Sequence, residues 1–274
     1  MKIVFVIGTG RSGTLAISQA LSLFPGIIAH HEYLFEPVLQ QAILYHQGKI
    51  GKSEVQAFLR EHYLPAIAQA RGDCWVDCSN ALPWLVEPLA ELVPEARFVF
   101  VARHGKRVVS SFYHKFKADM YADDCVERLY AYLRGEADMP PPLKRYWRPV
   151  PTPASPDYAW FAKASRFERL CYYWQVTTEQ AVLALEKAAA GRQELYNFEA
   201  ILAEPAERAR FLANFPLPAD GAEQVAQFFK RPTNVAEPKT YPLTVEEEAV
   251  FARICAPMMA RLGYDLESDY VVKY

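Results

Sequence analysis

Lys2-Ile3-Val4-Phe5-Val6-Ile7-Gly8-Thr9-Gly10-Arg11-Ser12-Gly13-Thr14 runs from a continuous apolar stretch through a glycine-rich turn into a helical pattern. An unbroken run of β-branched and aromatic residues suits a strand covered on both faces. The glycines allow a tight turn, so that successive N–H groups and the next helix N-terminus converge on an anion. Further apolar runs lie at Gly26–His30, Cys74–Asp77, Arg97–Ala102 and Glu194–Asn197. Helical patterns alternate with them at Gly13–Leu23, Ser53–Ala70, Ala81–Leu92, Lys106–Lys117, Phe167–Ala190, Pro205–Phe211 and Thr244–Leu262. This alternation predicts an α/β fold, a central parallel sheet flanked by helices, with the first and fourth runs as central strands. The last helix has Thr244 and Glu247 as a capping pair and stops at Gly263.

A chain of 274 residues with 51% hydrophobic and 14% aromatic content can bury a large core. We read residues 1–274 as one domain. Seven of the twenty prolines fall between Met139 and Asp157, beside Tyr146, Trp147 and Arg148. That stretch cannot be regular structure, and is read as part of an excursion spanning about 116–165, a lid or binding loop. Thirty basic against thirty-two acidic residues leave a net charge of −2, with no global field for a nucleic acid. The five cysteines at 74, 78, 125, 171 and 255 are scattered, with no second pair or nearby histidine to complete a zinc site. They read as reduced thiols, and no metal is expected. No apolar run approaches the ~20 residues of a membrane span, and the first strand is too short for a signal peptide. The expectation is a cytoplasmic protein.

Three anions compete for the loop. Gly8, Gly10 and Gly13 spell the G-x-G-x-x-G of a dinucleotide fold, with Glu32 twenty-four residues after Gly8 where a ribose-binding acid would sit. Against this, the loop carries Arg11, a cation that a backbone-only pyrophosphate site does not need. Gly8 and Gly13 also have Walker spacing, but Thr14 replaces the lysine that holds an ATP β/γ-phosphate. The third reading rests on Arg11-Ser12-Gly13-Thr14 after a strand, together with a second motif. Arg103 ends the fourth strand and Ser111 follows eight positions later, within Ser111-Phe112-Tyr113-His114. A dianionic phosphate is well served by a guanidinium fork plus a hydroxyl donor.

These two motifs, in this order, resemble those of the sulfotransferases that use 3′-phosphoadenosine 5′-phosphosulfate (PAPS). Weaker matches are Pro94-Glu95-Ala96-Arg97, Leu195-Tyr196-Asn197-Phe198-Glu199 and Arg261-Leu262-Gly263-Tyr264. The resemblance implies a P-loop nucleotide-kinase-like three-layer fold and sulfuryl transfer to an acceptor hydroxyl. It assigns Gly10, Arg11, Ser12, Gly13, Thr14 and Leu15 to the 5′-phosphosulfate, and Arg103 and Ser111 to the 3′-phosphate. Arg231 in Lys230-Arg231-Pro232-Thr233 is a further candidate there. Arg11 would also stabilise the leaving phosphate, with no metal required. Glu32 lies where the carbohydrate- and protein-sulfating branches carry a catalytic Glu, and His31 is the alternative base. The match is nearer to those branches and to bacterial glycolipid-sulfating members than to the cytosolic phenol branch. Leu15 departs from the family's second Thr, and His104-Gly105 from its common Asp-Pro.

Asp77-Cys78-Ser79-Asn80 ends the third strand at the same edge, as an acceptor contact or as a helix cap. Tyr146, Trp147, Tyr158, Trp160 and Phe161 either wall an acceptor pocket or belong to the core. The expected acceptor is a carbohydrate or glycolipid hydroxyl. Three other readings stay open: an NAD(P)-dependent Rossmann oxidoreductase, a magnesium-requiring nucleotide kinase, and a nucleotide-binding module without transfer activity.

Overall fold

Alternation along β1 (Lys2–Gly8) sends Ile3, Phe5 and Ile7 to one face of the sheet and Val4 and Val6 to the other. β4 (Arg97–Ala102) repeats this, with Phe98 and Phe100 opposite Val99 and Val101. Both faces are apolar because both are covered, which is why neither strand alternates in polarity. In the computed structural model, which describes residues 1–115, 120–137, 146–231, 240–266 and 272–273, five parallel strands form the main sheet. β2 (Ile27–His31), β3 (Cys74–Ser79) and β5 (Gln193–Asn197) complete it in the order β2-β3-β1-β4-β5.

That order corrects the dinucleotide reading. A Rossmann sheet sets its second strand beside the first, whereas here β3 lies between β1 and β2, so Glu32 is one strand removed from the position a ribose-binding acid needs.

α1 (Thr14–Leu21), α9 (Phe198–Ala203), α10 (Pro205–Leu212) and α11 (Gly221–Phe229) cover the Val4 face. The Phe5 face is packed by α2 (Phe35–His46), α3 (Lys52–Gln69), α4 (Val86–Leu92), α5 (Gly105–Lys115), α8 (Arg166–Ala188) and α12 (Val245–Arg261). The result is a three-layer α/β fold. The pattern over Ala81–Leu92 divides into a 3₁₀ turn at Leu82–Trp84 and then α4. Pro88 has no N–H to close a helix across that point, and it is tolerated in the first turn of α4. α2, α9 and α11, and two helices within 116–165, form where no helix is predicted. Six-residue α9 is held by burial of Phe198 and Ile201 and not by propensity. The last helix begins as predicted: Thr244 Oγ1 accepts from Glu247 N at 3.2 Å, and Thr244 N donates to Glu247 Oε2 at 3.0 Å.

Within 116–165, α6 (Asp123–Arg134) and α7 (Tyr158–Lys163) flank an irregular stretch at 146–157. Tyr121, Leu129, Trp147, Val150 and Phe161 are buried in the same core as α8, so Trp147 and Phe161 read as core. The buried Arg169 of α8 fastens this segment through Asp123 Oδ1 at 2.6 Å and the Tyr121, Phe161 and Ala162 carbonyls. The end of the predicted Lys106–Lys117 helix, the prolines at 140–142 and Pro232-Thr233 lie outside the described residues. All five cysteines are buried and unpaired by disulfide. Among the described residues no helix is long and apolar enough to cross a membrane.

Candidate active site

The turn between β1 and α1 is closed by its own residues first. Ser12 N and Ser12 Oγ both donate to the Thr9 carbonyl, at 3.2 and 2.6 Å. Ser12, expected among the anion's partners, therefore faces inward and shapes the loop. Gly13 has φ +94°, and a Cβ there would lie 2.4 Å from the Phe198 ring. Arg11 sits at φ +67°, a left-handed conformation that a long side chain adopts only when its surroundings hold it.

Those surroundings come from the second motif. Arg103 Nη1 donates to the Arg11 carbonyl at 2.6 Å, and Arg11 Nε donates to Ser111 Oγ at 2.7 Å. The two motifs thus form one polar surface at the carboxyl ends of β1 and β4. Tyr173 of α8 adds a third support, its hydroxyl accepting from Gly10 N at 3.0 Å. A Cβ at Gly10 would meet Phe112 at 2.5 Å, so only glycine lets the loop approach α5 this closely. Gly13, Thr14 and Leu15 supply the first N–H groups of α1, which have no carbonyl four residues back to serve.

Arg107 and Ser111 lie four residues apart on α5 and so share a helix face, while Arg103 stands in the turn between β4 and α5. Arg103 Nε and Arg107 Nε each lie 3.8 Å from Glu199 Oε1. Glu199 Oε2 accepts from Tyr264 Oη at 2.8 Å, and His104 N donates to Oε1 at 3.3 Å. Leu262-Gly263-Tyr264, which follows α12, is thereby tied to the arginine pair. Burial pushes His104 down to about 4. Its neutral ring donates from Nε2 to the Asp265 carbonyl at 3.2 Å and accepts Lys106 N on Nδ1 at 3.3 Å. His104 thus braces the turn that follows Arg103.

At the end of β2, Glu32 has φ +58° and its N–H donates to the Cys78 carbonyl at 3.1 Å. Asn80 Nδ2 donates to Glu32 Oε1. His31 Nε2 stands 3.9 Å from the same oxygen and 3.4 Å from Thr14 Oγ1. Burial lowers the His31 pKa, favouring the neutral ring. Thr14, His31, Glu32 and Asn80 thus run as a polar chain from the loop to the sheet edge.

Asp77 lies beneath this edge, fully buried. Its carboxyl accepts Tyr33 N at 3.0 Å and Tyr63 Oη at 2.9 Å, and so holds the turn that follows Glu32. Burial pushes it up to about 7. Ser79 Oγ accepts Ala81 N at 3.2 Å as a local cap. Of the Asp77–Asn80 cluster, Asn80 alone has a described bond to a predicted site side chain. Arg231, just after α11, is exposed, and no described contact joins it to Arg103 or Ser111. The four-residue spacing is a signal that picks out Arg107. Tyr173 has none, being one apolar-face residue of a long helix 163 positions from its partner. Among the described residues no three His, Cys, Asp or Glu side chains converge as metal ligands.

The backbone resembles a sulfotransferase from Alicyclobacillus acidocaldarius, at 14% identity over 97% of both chains with a TM-score of 0.51. It also resembles sulfotransferase STF9 from Mycobacterium avium, at 14% identity over 97% of this chain and 78% of that one, with a TM-score of 0.56. At such identity these likenesses speak for the fold. No curated protein matches the sequence. The sequence model described as "Sulfotransferase family" matches residues 4–145, more than half of the chain, including the loop, Glu32, Arg103 and Ser111. The chain belongs to the sulfotransferase family.

Proposed function

We propose that the protein transfers a sulfuryl group from PAPS to a hydroxyl on a carbohydrate or glycolipid. Bound, this donor supplies sulfur activated by a phosphate leaving group. The residues present fit such a ligand. A glycine-lined turn, open N–H groups at the start of α1 and the Arg11 guanidinium suit the 5′-phosphosulfate. Arg103, Arg107 and Ser111 suit the 3′-phosphate, and Arg231 is retained as a further, peripheral candidate.

Each residue then has a stated task. Gly10 and Ser12 shape the turn. Arg11, with the N–H groups of Gly13, Thr14 and Leu15, takes up the charge that grows on the leaving phosphate. Glu32 accepts the proton of the attacking hydroxyl, and Asn80 holds its carboxylate in place. His31, neutral and next to the same oxygen, is the alternative acceptor of that proton. The lean towards a sugar acceptor rests on the family resemblance, in which carbohydrate-sulfating members use a Glu at this position.

The observation that carries this reading is the pair of bonds joining the motifs, Arg11 to Ser111 and Arg103 to the Arg11 carbonyl. Neither a dinucleotide nor an ATP site requires it. Calorimetric titration with adenosine 3′,5′-bisphosphate (PAP) tests it. Arg103→Ala is expected to weaken binding by at least tenfold, the scale of a charge-assisted hydrogen bond. Equal affinity in the variant overturns the donor assignment. Incubation with radiolabelled PAPS and separate sugar, glycolipid and phenol panels then tests the acceptor class, and label in phenols alone overturns it.

A further inference from the structure

A tyrosine hydroxyl that accepts one hydrogen bond still holds a proton to donate. Tyr173 of α8 is in that position. Its Oη accepts from Gly10 N at 3.0 Å, yet among the described residues nothing accepts its own proton. The residue is only 2% exposed. Leaving a buried donor unpaired is costly, so its presence beside an anion-binding turn points to an acceptor that arrives with a ligand.

The hydroxyl is held at the turn from several sides. The Tyr173 ring packs edge-on against Phe112, with centroids 5.4 Å apart, and Phe112 follows Ser111, whose Oγ accepts from Arg11 Nε. A Cβ built on Gly10 would stand 2.5 Å from Phe112 and 3.3 Å from Tyr173 Oη. The next residue of α8, Trp174, donates from Nε1 to the Arg103 carbonyl at 3.1 Å. Two consecutive residues of α8 thus brace both motifs, with Tyr173 Oη against the residue before Arg11. Burial raises the Tyr173 pKa, so the hydroxyl keeps its proton and meets an anion as a donor.

We propose that the Tyr173 hydroxyl donates a hydrogen bond to an oxygen of the 5′-phosphate of PAPS. The inference rests on the PAPS reading above, and it makes Tyr173 a ligand of that phosphate as well as a support of the turn. Gly10 N is spent on Tyr173 Oη, so at this point of the turn the phenol presents a donor in place of the backbone. The bond from Gly10 N polarises the hydroxyl and makes it a better donor. Its acceptor is the phosphate held by Arg11 and the N–H groups of Gly13, Thr14 and Leu15. As charge gathers on that phosphate during transfer the bond strengthens, and no proton leaves Tyr173.

Fluorination separates the two roles of the hydroxyl, because it strengthens a phenol as a donor and weakens it as an acceptor. Calorimetry is done on wild type, Tyr173→3-fluorotyrosine and Tyr173→Phe. The ligands are PAP, which carries the 5′-phosphate, and adenosine 3′-monophosphate, which does not. Tyr173→3-fluorotyrosine is expected to bind PAP about two- to threefold more tightly than wild type, and Tyr173→Phe roughly tenfold more weakly. Affinity for adenosine 3′-monophosphate is expected to stay within about twofold in both, which also reports that they are folded. A hydroxyl that only supports Gly10 gives the fluorinated protein no gain. Weaker or unchanged PAP binding there overturns the proposal while leaving the PAPS reading standing. Equal tightening of both ligands overturns it as well, since the gain would then not come from the 5′-phosphate. If Tyr173→Phe does not fold, the fluorinated protein, which keeps its hydroxyl, decides by itself. Wild type that binds neither ligand overturns the PAPS reading and this proposal together.

Discussion

Asp77→Asn should uncouple the stability of this protein from pH in a defined window. The carboxyl is fully buried under the turn that carries Glu32, and it accepts Tyr33 N and Tyr63 Oη. Desolvation pushes it up to about 7 from an ordinary 3.8, and the charge of Glu32 pushes the same way. The folded state therefore keeps its proton where the unfolded chain has lost it. Stability from this group is full below pH 3.8, falls as pH rises, and levels off above about 7. At about 1.4 kcal/mol per pH unit, the span amounts to roughly 4 kcal/mol. Asparagine accepts the Tyr33 N–H through its oxygen but cannot ionise, so the variant escapes the loss. Tyr63 has the Tyr33 carbonyl at 3.4 Å as another acceptor. His30, opposite Asp77 in the β2–β3 register, has its pKa lowered by burial and contributes little charge at the upper end of the window. Urea unfolding of both proteins between pH 4.5 and 8 provides the measurement. The difference between them should move in favour of Asp77→Asn by about 3 kcal/mol up to pH 7 and then stay level. Parallel curves across the whole range would refute the argument, because they would mean that Asp77 carries its charge in the folded state.

Further outcomes follow from the site and the loop. Glu32→Gln should lower the transfer rate by roughly 10²–10⁴ while leaving PAP affinity within about twofold, and a matching loss of PAP affinity would remove Glu32 from the proton-transfer role. Asn80→Ala, losing a hydrogen bond to that carboxylate, should lower the rate by about tenfold and shift the acid limb of its pH profile upward; an unmoved profile would make Asn80 a mere spacer. Gly13→Ala combines φ +94° with a Cβ 2.4 Å from Phe198, whereas Gly135→Ala has φ +77° and nothing within 4 Å. Thermal unfolding should cost the second variant about 1 kcal/mol and the first roughly 1–3 kcal/mol more, and equal losses would mean that Phe198 yields freely.

The apolar run at Lys2–Ile7, the glycine turn and the Arg103-to-Ser111 spacing are legible because they answer local demands. A covered strand excludes polar residues, a tight turn needs missing Cβ atoms, and a strand end followed by a helix sets Arg103 and Ser111 a short turn of chain apart. The Thr244–Glu247 cap is local for the same reason. Such demands act within a turn or two of chain, so they survive in a single sequence. The division of Ala81–Leu92 was also written locally, in Pro88. Only packing determined that β3 inserts between β2 and β1, since which strands become neighbours depends on long crossings and on the cores beneath them. Arg11 finding Ser111, Gly10 finding Tyr173 and Asn80 finding Glu32 bridge 100, 163 and 48 residues. Those pairings leave no periodicity behind. They exist because the sheet brings its carboxyl ends to one edge, where chemistry scattered along the chain becomes a single surface.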